Sequence, residues 1–115
     1  MKLPNAENVI IPEEKITRYL LDLDHPNGGP KADFFYGCGF RARGWMILAD
    51  ALRGHALHDV CAVDHLSHGV YYVLEGPLAT PGSRHPWVRS VWIVPHGRDL
   101  PRLVTACPCG RRREA

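Results

Sequence analysis

Midway along this chain the spacing of its apolar residues changes, and that change limits the folds open to it. Up to Gly54 the apolar residues recur at intervals of three and four; from His58 onward they gather in short runs divided by turn residues about every ten positions. The first spacing lines one face of a helix and the second builds strands. The chain is therefore expected to be α+β, with three N-terminal helices followed by a four-stranded antiparallel sheet.

The first helix opens at Pro12, with Glu13 and Glu14 suited to the positive end of the helix dipole. Ile16, Tyr19, Leu20 and Leu23 then share one face, expected to be buried, and the helix ends before Pro26. Asp24-His25-Pro26-Asn27-Gly28-Gly29-Pro30 is dense in turn residues and reads as a loop. Pro30 can open a second helix through Phe34 and Phe35, stopped by Gly37 or Gly39. A third fits Ala42 to Arg53, where Trp45, Leu48, Ala49 and Leu52 keep helical spacing and Gly54 suits the position just past the end.

Strands are expected at about His58 to Asp64 and Val70 to Gly76, joined at Ser67-His68-Gly69, and at Trp87 to Val94 and Arg102 to Cys107, joined at His96-Gly97-Arg98-Asp99. Pro77 to Pro86 is a long loop. A symmetric last hairpin sets Ser90 opposite Thr105, Trp92 opposite Leu103, Val91 opposite Val104 and Ile93 opposite Arg102. The Val91 and Val104 side then packs on the helices, leaving Ser90, Trp92 and Thr105 on an open face.

With 115 residues, 45% of them hydrophobic and 23% charged, the chain has material for one core without help from a metal or a disulfide. Residues 1–108 are read as a single domain and 109–115 as a basic disordered tail carrying Arg111, Arg112 and Arg113. No apolar run reaches the length of a membrane span, and the first residues lack a signal peptide's apolar stretch, so a cytoplasmic address is expected. The net charge of +2 permits nucleic-acid binding without indicating it. Cys38, Cys61, Cys107 and Cys109 lack metal-ligand spacing and read as free thiols, and neither a metal nor another cofactor is expected.

Several stretches together resemble a family of uncharacterised bacterial domains: Leu3-Pro4-Asn5-Ala6-Glu7, Gly28-Gly29-Pro30-Lys31-Ala32, Gly76-Pro77-Leu78, and Pro101-Arg102-Leu103-Val104-Thr105-Ala106 followed by Pro108. The order of helices and meander in such domains is similar to the barnase, EndoU, colicin and RelE group of small ribonucleases and to domains that end some bacterial toxins. The resemblance implies a ribonuclease-like fold, an RNA substrate and a neutralising antitoxin or immunity protein. Two departures stand out: Cys107 replaces a usual tyrosine, and Pro81-Gly82-Ser83-Arg84 replaces a Pro-Asp-Gly-Arg turn.

Metal-independent cleavage of RNA needs a base for the 2′-hydroxyl, an acid for the leaving oxygen, and cationic or hydrogen-bonding groups for the phosphate. Seven histidines are available. His55, just after the third helix, is the expected acid or base, in a place where the helix dipole favours its protonated form. Lys31 behind Gly28-Gly29 is a candidate phosphate ligand at a helix N-terminus, and Thr105 a hydrogen-bond donor on the last strand. Arg84, Arg89 and Arg102 form an expected cationic group for the substrate, joined by His25 from the Gly-rich loop. The expected function is thus a toxin-type effector acting as an endoribonuclease. The alternative is a non-enzymatic module that binds a protein partner or a small ligand.

Overall fold

The computed structural model describes residues 1–110; the basic run Arg111 to Arg113 lies outside the described residues. A 3-10 turn at Ala6–Asn8 precedes α1 (Glu13–Lys15), which runs directly into a π-helical turn (Ile16–Leu20). Helices α2 (Gly29–Gly37) and α3 (Trp45–His55) come next, then β1 (Val60–Leu66), β2 (Gly69–Pro77), β3 (Trp87–Pro95) and β4 (Arg102–Pro108). The strands form one antiparallel meander in chain order. The α+β architecture is as expected, with all helices before the sheet.

The local departures have physical causes. In the π turn the Leu21 amide reaches back five residues to the Ile16 carbonyl at 2.8 Å. That wider turn rotates the residues after it, so Leu21 joins Ile16 and Leu20 in the core while Leu23, expected there, is 57% exposed. Tyr19 is only half-buried. Helix α3 starts later than expected and runs through Gly54, whose exposed position carries only the propensity cost of glycine. Its buried face is Leu48, Ala49, Leu52 and also His55.

The helices cover the sheet face that carries Leu74, Val88, Ser90, Trp92, Leu103 and Ala106, all buried. This reverses the faces expected for β3. Ser90 and Trp92 are in the core, whereas Val91 and Val104 are half-buried. A tryptophan buries more area than a valine, and here its indole nitrogen donates to the Ser90 hydroxyl at 2.8 Å, so neither polar atom is stranded. The expected pairs Trp92 with Leu103 and Ile93 with Arg102 are formed. Beyond them β4 carries one extra residue, a bulge that sets Val91 opposite Thr105 and Ser90 opposite Ala106.

β4 is an edge strand, and the chain ahead of α1 lies along its start. The Ile10 amide donates to the Pro101 carbonyl at 2.8 Å and the Leu103 amide to the Ile10 carbonyl at 3.0 Å. From Ile10 the backbone turns at Pro12 into α1 and the π turn. Tyr19 is thereby delivered to the edge of β4. At the opposite edge β1 is exposed along nearly its whole length. Among the described residues no helix is long and apolar enough to cross a membrane.

Candidate functional site

Tyr19 is the centre of a polar cluster. The Lys31 ammonium donates to its hydroxyl at 3.0 Å, and that hydroxyl exchanges a hydrogen bond with Thr105 Oγ1 at 3.1 Å. Lys31 and Lys15 also lie over the Tyr19 ring, at 5.2 and 5.3 Å from its centroid. Burial raises the Tyr19 pKa, but the hydrogen bonds from Lys31 and Thr105 and the charges of Lys31 and Lys15 outweigh it and hold the phenol below its ordinary range. An ionised Tyr19 oxygen would accept from Lys31 and Thr105 together, so the environment lowers the cost of forming the phenolate. Lys31 spends a second donor on the Asn27 carbonyl at 3.3 Å, which leaves one of its three for a ligand.

The Gly-rich loop explains how Tyr19 is held. His25 Nδ1 accepts from the Asn27 and Gly28 amides at 3.0 and 2.9 Å, which places the ring proton on Nε2. The imidazole stands edge-on to Tyr19, with centroids 5.0 Å apart. Gly28 is buried against Tyr19; a Cβ there would collide with the Tyr19 carbonyl oxygen and come within 2.9 Å of its ring. The Gly28 and Gly29 amides are committed within the loop, to His25 Nδ1 and the His25 carbonyl, so they do not form the phosphate seat expected of them. Glu14, Lys15, Arg18, Tyr19 and His25 line a shallow cleft of about 470 Å³ beside the cluster.

Lys31, Thr105 and His25 thus meet around one side chain. His55 does not join them. It sits on the buried face of α3, 2% exposed, with Nδ1 on Ser90 Oγ at 2.7 Å and Nε2 facing the carbonyls of Val88 and Gly76 at 2.9 and 3.2 Å. Ser90 donates to Nδ1 while Nε2–H is shared between the carbonyls, so each polar atom of the ring is used. Burial first, then the His58 charge, lowers its pKa to about 4, outweighing the two carbonyl contacts. The expectation of a protonated, accessible His55 is corrected: it is a neutral core residue tying α3 to β2 and β3.

The three arginines do not gather. Arg89 is bound to Glu75 at 2.6 and 2.7 Å. Arg102 stands four residues further along β3's register, about 13 Å away. Arg84 lies in the loop after β2, and its charge acts on Cys38 at the far end of α2 from Lys31. Sequence reasoning missed Tyr19, which helical spacing alone assigned to the core. The signal was a tyrosine, with its polar tip, on an apolar face that also carries Lys15 one turn away.

Fold and cluster together define a class of small domain: helices laid on one face of a four-stranded antiparallel meander, with a cation-flanked tyrosine at its edge. Within that class the chain belongs to the family described as a domain of unknown function, DUF6883, whose model matches residues 2–110. The resemblance to an uncharacterised family is thereby borne out. No curated protein matches the chain in sequence. Among solved structures it is similar to one chain of a contact-dependent growth inhibition toxin–immunity protein complex from Klebsiella pneumoniae 342, with a TM-score of 0.70 and 12% identity over 92% of this chain and 97% of that one. At that identity the likeness is one of fold.

Proposed function

We propose that this protein is a toxin-type effector that cleaves RNA phosphodiesters without a metal, using the cluster around Tyr19. The observation that carries the reading is the Tyr19 hydroxyl held between Lys31 Nζ and Thr105 Oγ1, beside an open cleft. In this mechanism the Tyr19 phenolate takes the proton of a ribose 2′-hydroxyl and the 2′-oxygen bonds to the adjacent phosphorus. The bond to the 5′-oxygen breaks, and the Lys31 ammonium supplies the leaving group's proton. As Tyr19 gains that proton it releases the Thr105 O–H, which with His25 Nε2–H hydrogen-bonds the phosphate oxygens as their charge builds. The likeness of fold to a chain from a toxin–immunity protein complex supports this class of function.

The test is cleavage of total RNA by purified protein in the presence of a chelator. Tyr19→Phe should lower the rate about 10²- to 10⁴-fold, the usual contribution of a positioned acid or base. The wild-type rate should climb with pH to a limb below the ordinary tyrosine range, and Lys31→Met, which also removes the acid, should lower the rate and move the remaining limb upward. RNA left intact by the wild-type protein would end the proposal.

The second reading, a binding module for an immunity-type protein, draws on β1. This edge strand is exposed on both sides, with Val63 and Leu66 38% and 41% accessible. In that case partner binding is sensitive to β1 substitutions and indifferent to Tyr19→Phe.

A further inference from the structure

A second cleft, of about 520 Å³, opens where the β3–β4 connection meets the segment before α1, lined by Ile10, Pro95, Gly97, Arg98, Asp99, Leu100 and Arg102. Arg98 and Arg102 are exposed, and among the described residues neither guanidinium has a hydrogen-bond or ion-pair partner, unlike Arg89 on Glu75. The single acid in the cleft, Asp99, is outnumbered by them. Gly97, with φ of 77°, makes the tight turn that sets Arg98 near the start of β4, and Asn5 Nδ2 steadies the loop by donating to the Asp99 carbonyl at 2.9 Å. Ile10 and Leu100, 38% and 37% exposed, supply an apolar wall.

The bulge in β4 relates this cleft to Tyr19. In a regular strand, residues three apart such as Arg102 and Thr105 face opposite sides. Here Arg102 is opposite Ile93 and Thr105 opposite Val91, two residues apart on β3, so both belong to the same side, about 7 Å from each other. That is about one step of an extended nucleotide chain. Two unpaired guanidiniums, each a planar fork of donors, suit phosphate oxygens better than they suit a neutral ligand.

We propose that the Arg98–Arg102 cleft is a second anion subsite, holding the backbone phosphate of single-stranded RNA next to the one at Lys31 and Tyr19. The inference rests on the RNA reading of the Tyr19 cluster and adds to it a preference for strands longer than a dinucleotide. Bases are left unread, as expected of a backbone contact.

The test measures binding rather than turnover. A fluorescein-labelled twelve-residue oligouridylate is titrated, at a series of salt concentrations, against Tyr19→Phe protein with and without Arg98→Ala and Arg102→Ala together. Each single-strand phosphate contact contributes about 0.7 to the slope of log affinity against log salt, so losing both arginines, which share one phosphate, should flatten it by about 0.7, with melting temperature unchanged. Arg98→Lys with Arg102→Lys should keep the slope, and UpU, with one phosphate, should bind both proteins equally. An unchanged slope in a protein that still cleaves RNA overturns the subsite and leaves the proposed function standing. The flattened slope in a protein that never cleaves RNA supports the subsite while removing the catalytic reading. Arginine-dependent binding of polyglutamate without binding of oligouridylate assigns the cleft to an acidic protein and overturns the proposal.

Discussion

Two polar clusters join helix to sheet in this protein, one at the end of α3 and one at the edge of β4. In the first, His55, Ser90 and Trp92 are enclosed by the core, and every side-chain nitrogen and oxygen has its partner inside. In the second, Tyr19, Lys31 and Thr105 are half-buried, Lys31 keeps a donor in reserve, and Lys15 and His25 stand against the tyrosine ring. Histidine and hydroxyl groups serve stability in one place and are available to a ligand in the other. Closure of the hydrogen-bond set, rather than the presence of a histidine, separates the two roles.

Substitutions that open the closed cluster should have the largest effect on stability. His55→Ala leaves a cavity and strands Ser90 and two carbonyls, for a loss of about 3 to 5 kcal/mol in urea unfolding, while any RNA cleavage per folded molecule stays at the wild-type level. A stable His55→Ala protein that has lost cleavage would erase the contrast between the clusters.

Acid should act on the same side of the comparison. Because the folded His55 pKa of about 4 lies below its unfolded value of 6.5, the unfolded chain binds the extra proton between those limits. The His55 contribution is complete above about pH 6.5 and is lost as the pH falls toward 4, by about 3 kcal/mol in all. Urea midpoints measured from pH 7 to 4 should show this decline, and His55→Gln should flatten it.

Gly28→Ala probes the scaffold of the open cluster. Its methyl group collides with Tyr19, so a loss of about 1 to 3 kcal/mol is expected together with weakened RNA cleavage as Tyr19 shifts from Thr105. The smallest stability effect belongs to Thr105→Val, below about 1.5 kcal/mol, because water can replace a half-exposed hydroxyl. Its mark should be in activity, read as a raised pH limb of cleavage. A Thr105→Val protein as damaged in stability as His55→Ala would mean the edge cluster is structural too.

The periodicity of the chain by itself determined the order, number and type of the elements, because helix and strand patterns are local and the turn chemistry between them is local as well. Lys31, Thr105 and His25 were recognisable as candidates by residue type. Their meeting was not, since it depends on Tyr19, which is 86 residues from Thr105 and whose hydroxyl reaches the β4 edge only because a π turn and Ile10 lay that segment along it. The faces of β3 were misassigned because alternation separates two faces without saying which one meets the helices, and it carries no sign of the extra residue in β4 that shifts every later pair. His55 could be placed on the α3 face by its spacing from Leu48 and Leu52, yet its burial depends on Ser90, Val88 and Gly76, brought in by strands far along the chain. Tertiary structure alone decided which polar atoms were matched inside and which were left facing solvent, because hydrogen-bond closure is a property of groups distant in sequence and fixed only by packing.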